Sequence, residues 1–168
     1  MTRTKAPFLE GDAMRRFKNS PGRLGLILLA FLATLVVQGC GSKPTRIEAE
    51  VVAAPDVNRD VSGRALPIVV RLYELKTTGS FESADFFSLY DREGETLGGD
   101  LLAREELDLH PGQRGRVERT AAPDAQYIGV IGAYRNIDQA RWRTTYPLQA
   151  GKTNKVLVNV GPDAISIR

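Results

Sequence analysis

Apolar and polar residues alternate along much of the chain after residue 44, and this alternation predicts short strands. In residues 45–53 (TRIEAEVVA) the apolar side chains fall on one face, and Glu48 and Glu50 fall on the other, as in a half-buried strand. Related patterns predict further strands at residues 67–75, 114–120, 141–148, 154–160 and 164–168. Most of this part of the chain is therefore expected to form β-structure.

Two of the predicted strands differ in their surroundings. Residues 127–135 (YIGVIGAYR) are apolar on both faces, which predicts a central strand that is covered on both sides. Gly129 and Gly132 are expected where another backbone or a bulky ring comes close. In residues 114–120 (RGRVERT), by contrast, charged residues dominate. We expect this strand at a sheet edge, where its charges discourage edge-to-edge aggregation.

One helix is predicted, over residues 83–91 (SADFFSLYD). Its aromatic and leucine side chains recur at i, i+3 and i+4, so they would form one face that packs on the sheet, with Phe87 widening that face. Ser83 is the expected N-cap, Asp85 lies in the first turn, and Gly94 is the expected stop.

The remaining segments complete the predicted fold. Residues 54–66 (APDVNRDVSGRAL) have no periodic apolar face and predict a loop that is long for a hairpin connection. Residues 100–109 are ambiguous, and we expect a short helix or turn followed by a strand from about Glu105. Seven or eight short strands with frequent turns predict an all-β fold, an antiparallel β-sandwich with one or two short added helices.

A different pattern precedes the strands. Residues 24–40 (LGLILLAFLATLVVQGC) form an apolar run that follows several cations and ends in the only cysteine, Cys40. A positive region, an apolar region and a small residue before a cleavage point are typical of a secretory signal. The sequence VQGC at residues 37–40 predicts a bacterial lipobox, in which the thiol of Cys40 is acylated. The alternatives are a plain cleaved signal and a short anchor, although a bilayer span needs ~20 residues.

The predicted organisation has three parts. Residues 1–39 are the signal peptide, with Met14 as an alternative start. Residues 40–44 are the lipidated cysteine and a short tether, and residues 45–168 are the β-sandwich domain. An aspartate after the lipidated cysteine usually retains a lipoprotein in the inner membrane. Because Gly41 stands there instead, we expect the outer membrane, with the domain facing the periplasm.

The signal peptide also accounts for the basic character of the chain. The formal net charge is +3, but six of the 23 basic and two of the 20 acidic residues precede Cys40. The remaining 17 basic and 18 acidic residues nearly balance, so the charge gives no support for nucleic-acid binding. A lipid on Cys40 would also leave no thiol for a disulfide.

Candidate catalytic and metal-binding residues are few. His110 is the only histidine, it has no cysteine nearby, and it lacks a partner acid at a fixed spacing. Glu105 and Glu106 would fall on opposite faces of a strand. We therefore predict a binding module rather than an enzyme, with no metal and no cofactor other than the covalent lipid on Cys40.

A cationic set in the predicted edge strand has two interpretations. It could be a patch for phosphate or lipid headgroups, or one solvated strand face balanced by Glu118. The second is favoured, since charged residues along a strand are commonly solvated. The set consists of Arg114, Arg116 and Arg119.

Several segments, taken together and in order, resemble the type VI secretion outer-membrane lipoprotein family, TssJ. They spread over nearly the whole chain after Cys40. They are VN at 57–58 with GR at 63–64, PIVVRLYEL at 67–75, Phe81, ADFFSLY at 84–90, LG at 97–98, DLL at 100–102, Leu109, PG at 111–112, YIGV at 127–130, AYR at 133–135, Ala140, and WR at 142–143.

The resemblance implies both a fold and a role. The implied fold is a transthyretin-like β-sandwich with added helical elements, in which Trp142 seals one end. The implied role is that of an outer-membrane lipoprotein in the membrane complex of the secretion system. Its partner would be the periplasmic C-terminal region of the inner-membrane component TssM, with other outer-membrane ring components as further candidates.

The family's contact element is the loop between the first two strands, which is residues 54–66 here by position. The predicted partner-binding residues form the tip of this loop: Val57, Asn58, Arg59, Asp60 and Val61. The alternative function is a periplasmic lipoprotein that binds carbohydrate or peptide, and it would require a concave aromatic pocket instead of a protruding loop.

Overall fold

Two four-stranded sheets make up most of the computed structural model, which describes residues 43–168. The predicted signal peptide, Cys40 and the first tether residues lie outside the described residues. The strands are β1 (Arg46–Ala53), β2 (Ile68–Leu75), β3 (Leu101–Leu109), β4 (Arg114–Thr120), β5 (Tyr127–Gly132), β6 (Arg143–Pro147), β7 (Thr153–Val160) and β8 (Ile165–Ile167).

The strand order confirms the predicted all-β sandwich. Sheet 1 has the order β4-β1-β7-β8, and sheet 2 has the order β3-β2-β5-β6. Neighbouring strands are antiparallel with one exception, the parallel pair of β1 and β7. The polar strand β4 lies at the edge of sheet 1, and β5 lies inside sheet 2, as predicted.

The inward faces of the two sheets form the main core. Alternation places every second side chain of β1 inside, so Ile47, Ala49 and Val51 are buried while Glu48 and Glu50 face outward. The opposing sheet and β7 contribute further buried side chains: Ile68, Val70, Leu72, Ile128, Val130, Val156 and Val158.

A layer of short helices covers the outer face of sheet 2. They are α1 (Gly79–Ser83), α2 (Phe86–Asp91) and α3 (Glu93–Leu97), followed by a 3-10 turn over Gly98–Asp100. Their apolar side chains pack on the sheet in a second cluster: Tyr73, Leu75, Phe81, Phe86, Leu89, Leu97 and Ile131. Sheet 2 is therefore covered on both faces.

The prediction of a single helix over residues 83–91 is wrong in its boundaries. Ala84 is extended, and the Asp85 carboxylate accepts a hydrogen bond of 2.9 Å from the Ser88 amide, so Asp85 caps a new helix. Ser83 instead ends α1, and Gly94 lies inside α3. Phe87 does not widen the buried face, because it is 61% exposed.

Two predictions about neighbouring strands have different outcomes. A Cβ atom on Gly129 would lie 2.9 Å from the Phe81 ring, and one on Gly132 would lie 3.0 Å from the Tyr134 ring, which confirms the expected close approach. The strand expected from about Glu105 begins earlier, at Leu101. The pairing shifts by one residue between Glu74 and Leu75 of β2, so Leu102 of β3 is the extra residue of a bulge in β3.

The cationic set in β4 is divided between two environments. Arg114 and Arg116 are exposed and form ion pairs with Glu50 and Glu118, respectively. These two arginines therefore match the interpretation of a solvated strand face. Arg119 departs from this picture. Its guanidinium contacts two carboxylates, Glu74 and Glu105, each at 2.9 Å.

The contact of Arg119 with Glu74 links the two sheets. The Nε atom of Arg119 lies 2.9 Å from Glu74 Oε1 and forms an ion pair with it. The orientation of the two groups does not allow a hydrogen bond to this oxygen. The other oxygen accepts a hydrogen bond of 2.7 Å from the Ala122 amide. Glu74 is buried, so this pair satisfies an otherwise costly charge.

The other chemical candidates lie apart from one another. His110 is exposed in the β3–β4 turn, and within residues 43–168 no group of His, Cys, Asp and Glu is arranged to hold a metal ion. Glu105 contacts Arg119, whereas Glu106 contacts Arg71 on the opposite face of β3. None of the helices in the described residues has the length and apolar character needed to cross a membrane.

Candidate partner-binding site

Four connections meet at one end of the sandwich, which we call the loop end. They are the β1–β2, β3–β4, β5–β6 and β7–β8 connections, and backbone hydrogen bonds tie them to one another. The Gly112 amide donates to the Ala54 carbonyl (3.1 Å), the Asn58 amide to the Pro162 carbonyl (3.2 Å), and the Arg141 amide to the Asp163 carbonyl (2.9 Å). The loop predicted as the contact element is therefore part of a joined surface.

The start of the described chain lies at the opposite end, which we call the tether end. The Thr45 hydroxyl accepts a hydrogen bond from the Gly151 amide (2.9 Å), and the Thr45 carbonyl accepts one from the Ala121 amide (2.9 Å). Strand β1 runs from this end to the loop end over 8 residues, which corresponds to roughly 26 Å.

The first part of the loop, which we call the loop base, consists of Val57 and Asn58. Both side chains are buried, so the prediction that they lie at the exposed tip is wrong. The Asn58 side chain donates to the Pro67 carbonyl and accepts from the Arg135 amide, both at 2.7 Å. Asn58 also has φ = 50°, a left-handed conformation that asparagine tolerates better than most residues.

The exposed part of the loop, which we call the apical turn, spans residues 60–64. The Asp60 carboxylate accepts hydrogen bonds from the Ser62 amide (2.9 Å), the Ser62 hydroxyl (2.6 Å) and the Arg64 amide (3.0 Å). These hydrogen bonds lower the pKa of Asp60, and the bond from the Ser62 hydroxyl has the largest effect. Gly63 supplies φ = 81°, which completes the turn.

The side chains around the apical turn differ in how far they are exposed to solvent. Val61 is 103% exposed and contacts no core residue. Arg59 forms an ion pair with Asp56, and both side chains are about half exposed. The Arg64 guanidinium is mostly in solvent, whereas the Asp60 carboxylate that it contacts is largely covered by the turn. The three remaining predicted site residues, Arg59, Asp60 and Val61, therefore lie together.

A shallow concavity lies beside the loop base, and sequence reasoning did not find it. The Tyr134 ring is buried in its wall, and burial, together with the nearby Asp163 carboxylate, raises the pKa of its hydroxyl. Three connections distant in sequence form the concavity, so no local pattern marks it. Its residues are Asn58, Arg59, Tyr134, Asn136, Gln139, Ala140, Pro162 and Asp163.

The concavity bears on the alternative of a sugar- or peptide-binding lipoprotein. That function would require several exposed aromatic rings in a concave surface. Among the residues that the structure describes, Tyr134 is the only aromatic one that lines this concavity, and its ring is buried. The loop end thus presents a protruding turn and a mostly polar surface, which suits contact with another protein.

Comparison with known proteins decides the family. Residues 45–163 match the profile of the T6SS-SciN family, described as type VI secretion lipoprotein and including VasD, EvfM and TssJ. The chain belongs to this family. It is therefore a type VI secretion lipoprotein of the TssJ kind, as the resemblance implied. Among curated proteins, no match is found.

Solved structures of such lipoproteins have the same fold. The type VI lipoprotein TssJ1 from Pseudomonas aeruginosa is 39% identical, with a TM-score of 0.72 over 74% of this chain and 95% of that chain. Lip from Serratia marcescens, a membrane-bound component of the type VI secretion system, is 29% identical, with a TM-score of 0.69 over 73% of this chain and 96% of that chain.

A third similar structure is a chain of a type VI membrane complex. It is 25% identical, with a TM-score of 0.66 over 75% of this chain and 99% of that chain. All three matches cover nearly the whole of the other chain, so this chain shares the fold of each solved chain. The family is one of structural secretion lipoproteins and not of enzymes.

Proposed function

We propose that this lipoprotein anchors the membrane complex of a type VI secretion system to the outer membrane. In this proposal a lipid on Cys40 holds the domain at the periplasmic face of that membrane. The loop end binds the periplasmic C-terminal domain of the inner-membrane component TssM. The observation that carries the proposal is that the start of the described chain and the candidate loop lie at opposite ends of one sandwich.

The tether end is suited to a position close to the membrane. Four residues, 41–44, follow Cys40 before the domain, and in extended form they reach ~14 Å at most. Thr45 is hydrogen-bonded into the domain on both its hydroxyl and its carbonyl. A lipid on Cys40 would therefore keep the tether end within a short distance of the headgroups.

The loop end is suited to reach a partner in the periplasm. Strand β1 leads from the tether end to the loop. Its 8 residues place the loop roughly 26 Å from the tether end. Both β1 neighbours, β4 and β7, pair with it along nearly its whole length. A load applied at the loop is thus transmitted to the tether through paired strands rather than through a flexible linker.

Binding of the partner is tested with purified proteins. The detergent-solubilised mature lipoprotein is titrated with the periplasmic C-terminal domain of TssM from the same organism by isothermal calorimetry. We expect a saturable complex whose affinity falls when the loop end is altered by Arg59→Glu. Lys155→Glu, on the outer face of sheet 1, is the matched control and leaves the affinity unchanged. Absence of any complex with the wild-type protein would refute the proposal.

Anchoring is tested by Cys40→Ser in cells. Three acyl chains on the N-terminal cysteine exceed the two signals needed for stable attachment, at ~0.8 kcal/mol per buried methylene. The variant should leave the outer-membrane fraction, retain TssM binding in the titration, and abolish secretion. Full secretion by a Cys40→Ser strain would contradict the anchoring role.

A further inference from the structure

We infer that Val61 is an apolar plug that enters a small apolar pocket with an acidic rim on the partner. This inference rests on the proposed function, because it states the chemistry that the partner must offer to the loop end. It goes further in assigning different roles to residues of the loop. Val61 makes the central contact, Arg59 and Arg64 meet the rim, and Asp60 is a positioning residue that contacts no partner atom.

The exposure of Val61 is the first observation. Within residues 43–168 only two large hydrophobic side chains are exposed, Val61 at 103% and Phe87 at 61%. Phe87 retains a framework contact, since its ring meets the Phe86 ring edge-on with the centroids 5.4 Å apart. Val61 contributes nothing to the core of its own domain, so its apolar surface can be removed from water only by another molecule.

The rigidity of the apical turn is the second observation. The Asp60 carboxylate accepts three hydrogen bonds within the turn. The Asp60 amide also donates a hydrogen bond to the Arg64 carbonyl, so the backbone is fixed on both sides of Val61. Below it, Asn58 and Val57 are buried in the framework. A side chain held in this way loses little further freedom when it binds, which favours its use as an anchor.

The charge around Val61 is the third observation and indicates the rim of the pocket. The Arg64 side chain is 75% exposed, while the Asp60 side chain is 11% exposed, because one of its oxygens accepts hydrogen bonds from the turn and the other lies 3.3 Å from Arg64 Nε. Arg59 lies on the other side of Val61 in the sequence, and its side chain is 52% exposed, against 42% for Asp56, its ion-pair partner. Each of these guanidinium groups is more exposed than the carboxylate that pairs with it, so carboxylates at the rim of the partner's pocket would complement the apex.

A size series at Val61 tests the plug. The affinity of the mature lipoprotein for the periplasmic TssM domain is measured for Val61→Ser, Val61→Ile and Val61→Phe, with Phe87→Ser as the matched control. Loss of the buried apolar surface should weaken binding about 10- to 30-fold for Val61→Ser. Val61→Ile should stay within about fourfold of the wild type, since one further buried methylene corresponds to ~0.8 kcal/mol. Val61→Phe should bind as weakly as Val61→Ser.

Each result has a defined meaning. Unchanged affinity of Val61→Ser, or tighter binding of Val61→Phe, would overturn the inference, the latter because a flat apolar surface would accept the larger ring. A loss confined to Phe87→Ser would overturn it too and would place the contact on the helix layer. If the wild type forms no complex, the proposed function fails as well. If the wild type binds and Val61→Ser binds equally, the plug alone fails.

The acidic rim has a separate readout. Raising the salt concentration from 50 to 500 mM should weaken wild-type binding through a slower association rate, because exposed charges are screened. The double variant Arg59→Gln with Arg64→Gln should bind more weakly at low salt and show a smaller salt dependence. Equal salt dependence of the wild type and the double variant would contradict the acidic rim. Melting curves of all variants should coincide, which excludes unfolding as the cause.

Discussion

The loop base and the apical turn are adjacent in the sequence but belong to different parts of the molecule. The base, Val57 and Asn58, is buried and bonded to Pro67 and Arg135, so it is part of the framework. The apical turn, residues 60–64, is bonded almost only within itself and exposes Val61. A single loop therefore contains a structural part and a recognition part, and substitutions in the two parts should have different effects.

The largest expected effect is loss of stability when the base is broken by Asn58→Ala. The substitution removes two buried hydrogen bonds and leaves the Pro67 carbonyl and the Arg135 amide without partners. We expect a loss of ~3–5 kcal/mol in the free energy of unfolding, since each unsatisfied buried group costs ~1–3 kcal/mol. Denaturation by urea measures it.

The backbone conformation of Asn58 provides a control for this experiment. Asn58→Gly removes the same hydrogen bonds but accepts φ = 50° without strain, so it should be less destabilising than alanine by ~1 kcal/mol. If Asn58→Ala has an unchanged denaturation midpoint, the loop base is not part of the framework and the comparison with the apical turn fails.

A smaller loss of stability is expected for Trp142→Ala. The ring packs against both apolar clusters and meets the Phe86 ring edge-on, with centroids 5.3 Å apart. It is half-buried, so the expected loss in the free energy of unfolding is ~2–3 kcal/mol, less than the ~3–5 kcal/mol for a fully buried ring. Thermal melting measures it, and an unchanged melting temperature would refute the role of Trp142 in closing the sandwich.

Strand alternation made much of the framework predictable from the sequence. Strands β1, β2 and β7 lie where apolar residues recur at every second position, because one face of each packs in the core. The helix layer was less predictable. Ser83 and Asp85 are both acceptable N-caps, and only the structure shows that each belongs to a different helix boundary.

The division within the loop could not be predicted from the sequence. Asn58 is a common residue in exposed loops, and its burial depends on the Arg135 amide, 77 residues away in the chain. Val57 and Val61 are the same residue type four positions apart, yet one is buried and the other is fully exposed. Tertiary contacts decide between them, and no local pattern reports those contacts.

An effect on binding rather than on stability is expected when charge is reversed in the exposed part. In the double variant Arg59→Glu with Asp60→Arg, the first change would repel an acidic rim and the second would open the turn that positions Val61. We expect about tenfold weaker binding of the TssM domain, which equals ~1.4 kcal/mol. The free energy of unfolding should fall by less than in Asn58→Ala, because the hydrogen bonds of Asp60 lie within the apical turn and do not reach the framework.

The same double variant can break the comparison in two ways. Unchanged affinity in the titration would show that the apical turn is not a recognition element. A loss of stability as large as that of Asn58→Ala would show that the turn belongs to the framework. Lys155→Glu serves again as the control for a charge change on a surface remote from the loop.

The smallest expected effect is a local response of the apical turn to acid. Hydrogen bonds from Ser62 and Arg64 lower the pKa of Asp60 below its ordinary value of 3.8. A carboxylate with a lowered pKa supports the folded turn above the unfolded pKa, and this support is lost as the pH falls through the folded pKa. The turn should therefore stay intact at the pH of the periplasm and open only in strong acid.

Amide chemical shifts of Ser62 and Arg64, followed by NMR from pH 6 to pH 2, measure this response. They should share one midpoint below 3.8, while amides of the loop base remain unchanged over the same range. Asp60→Asn keeps an acceptor oxygen but cannot ionise, so the transition should vanish in that variant. A midpoint at or above 3.8 would mean that the carboxylate does not hold the turn, and Val61 would then be presented by a flexible loop instead of a fixed one.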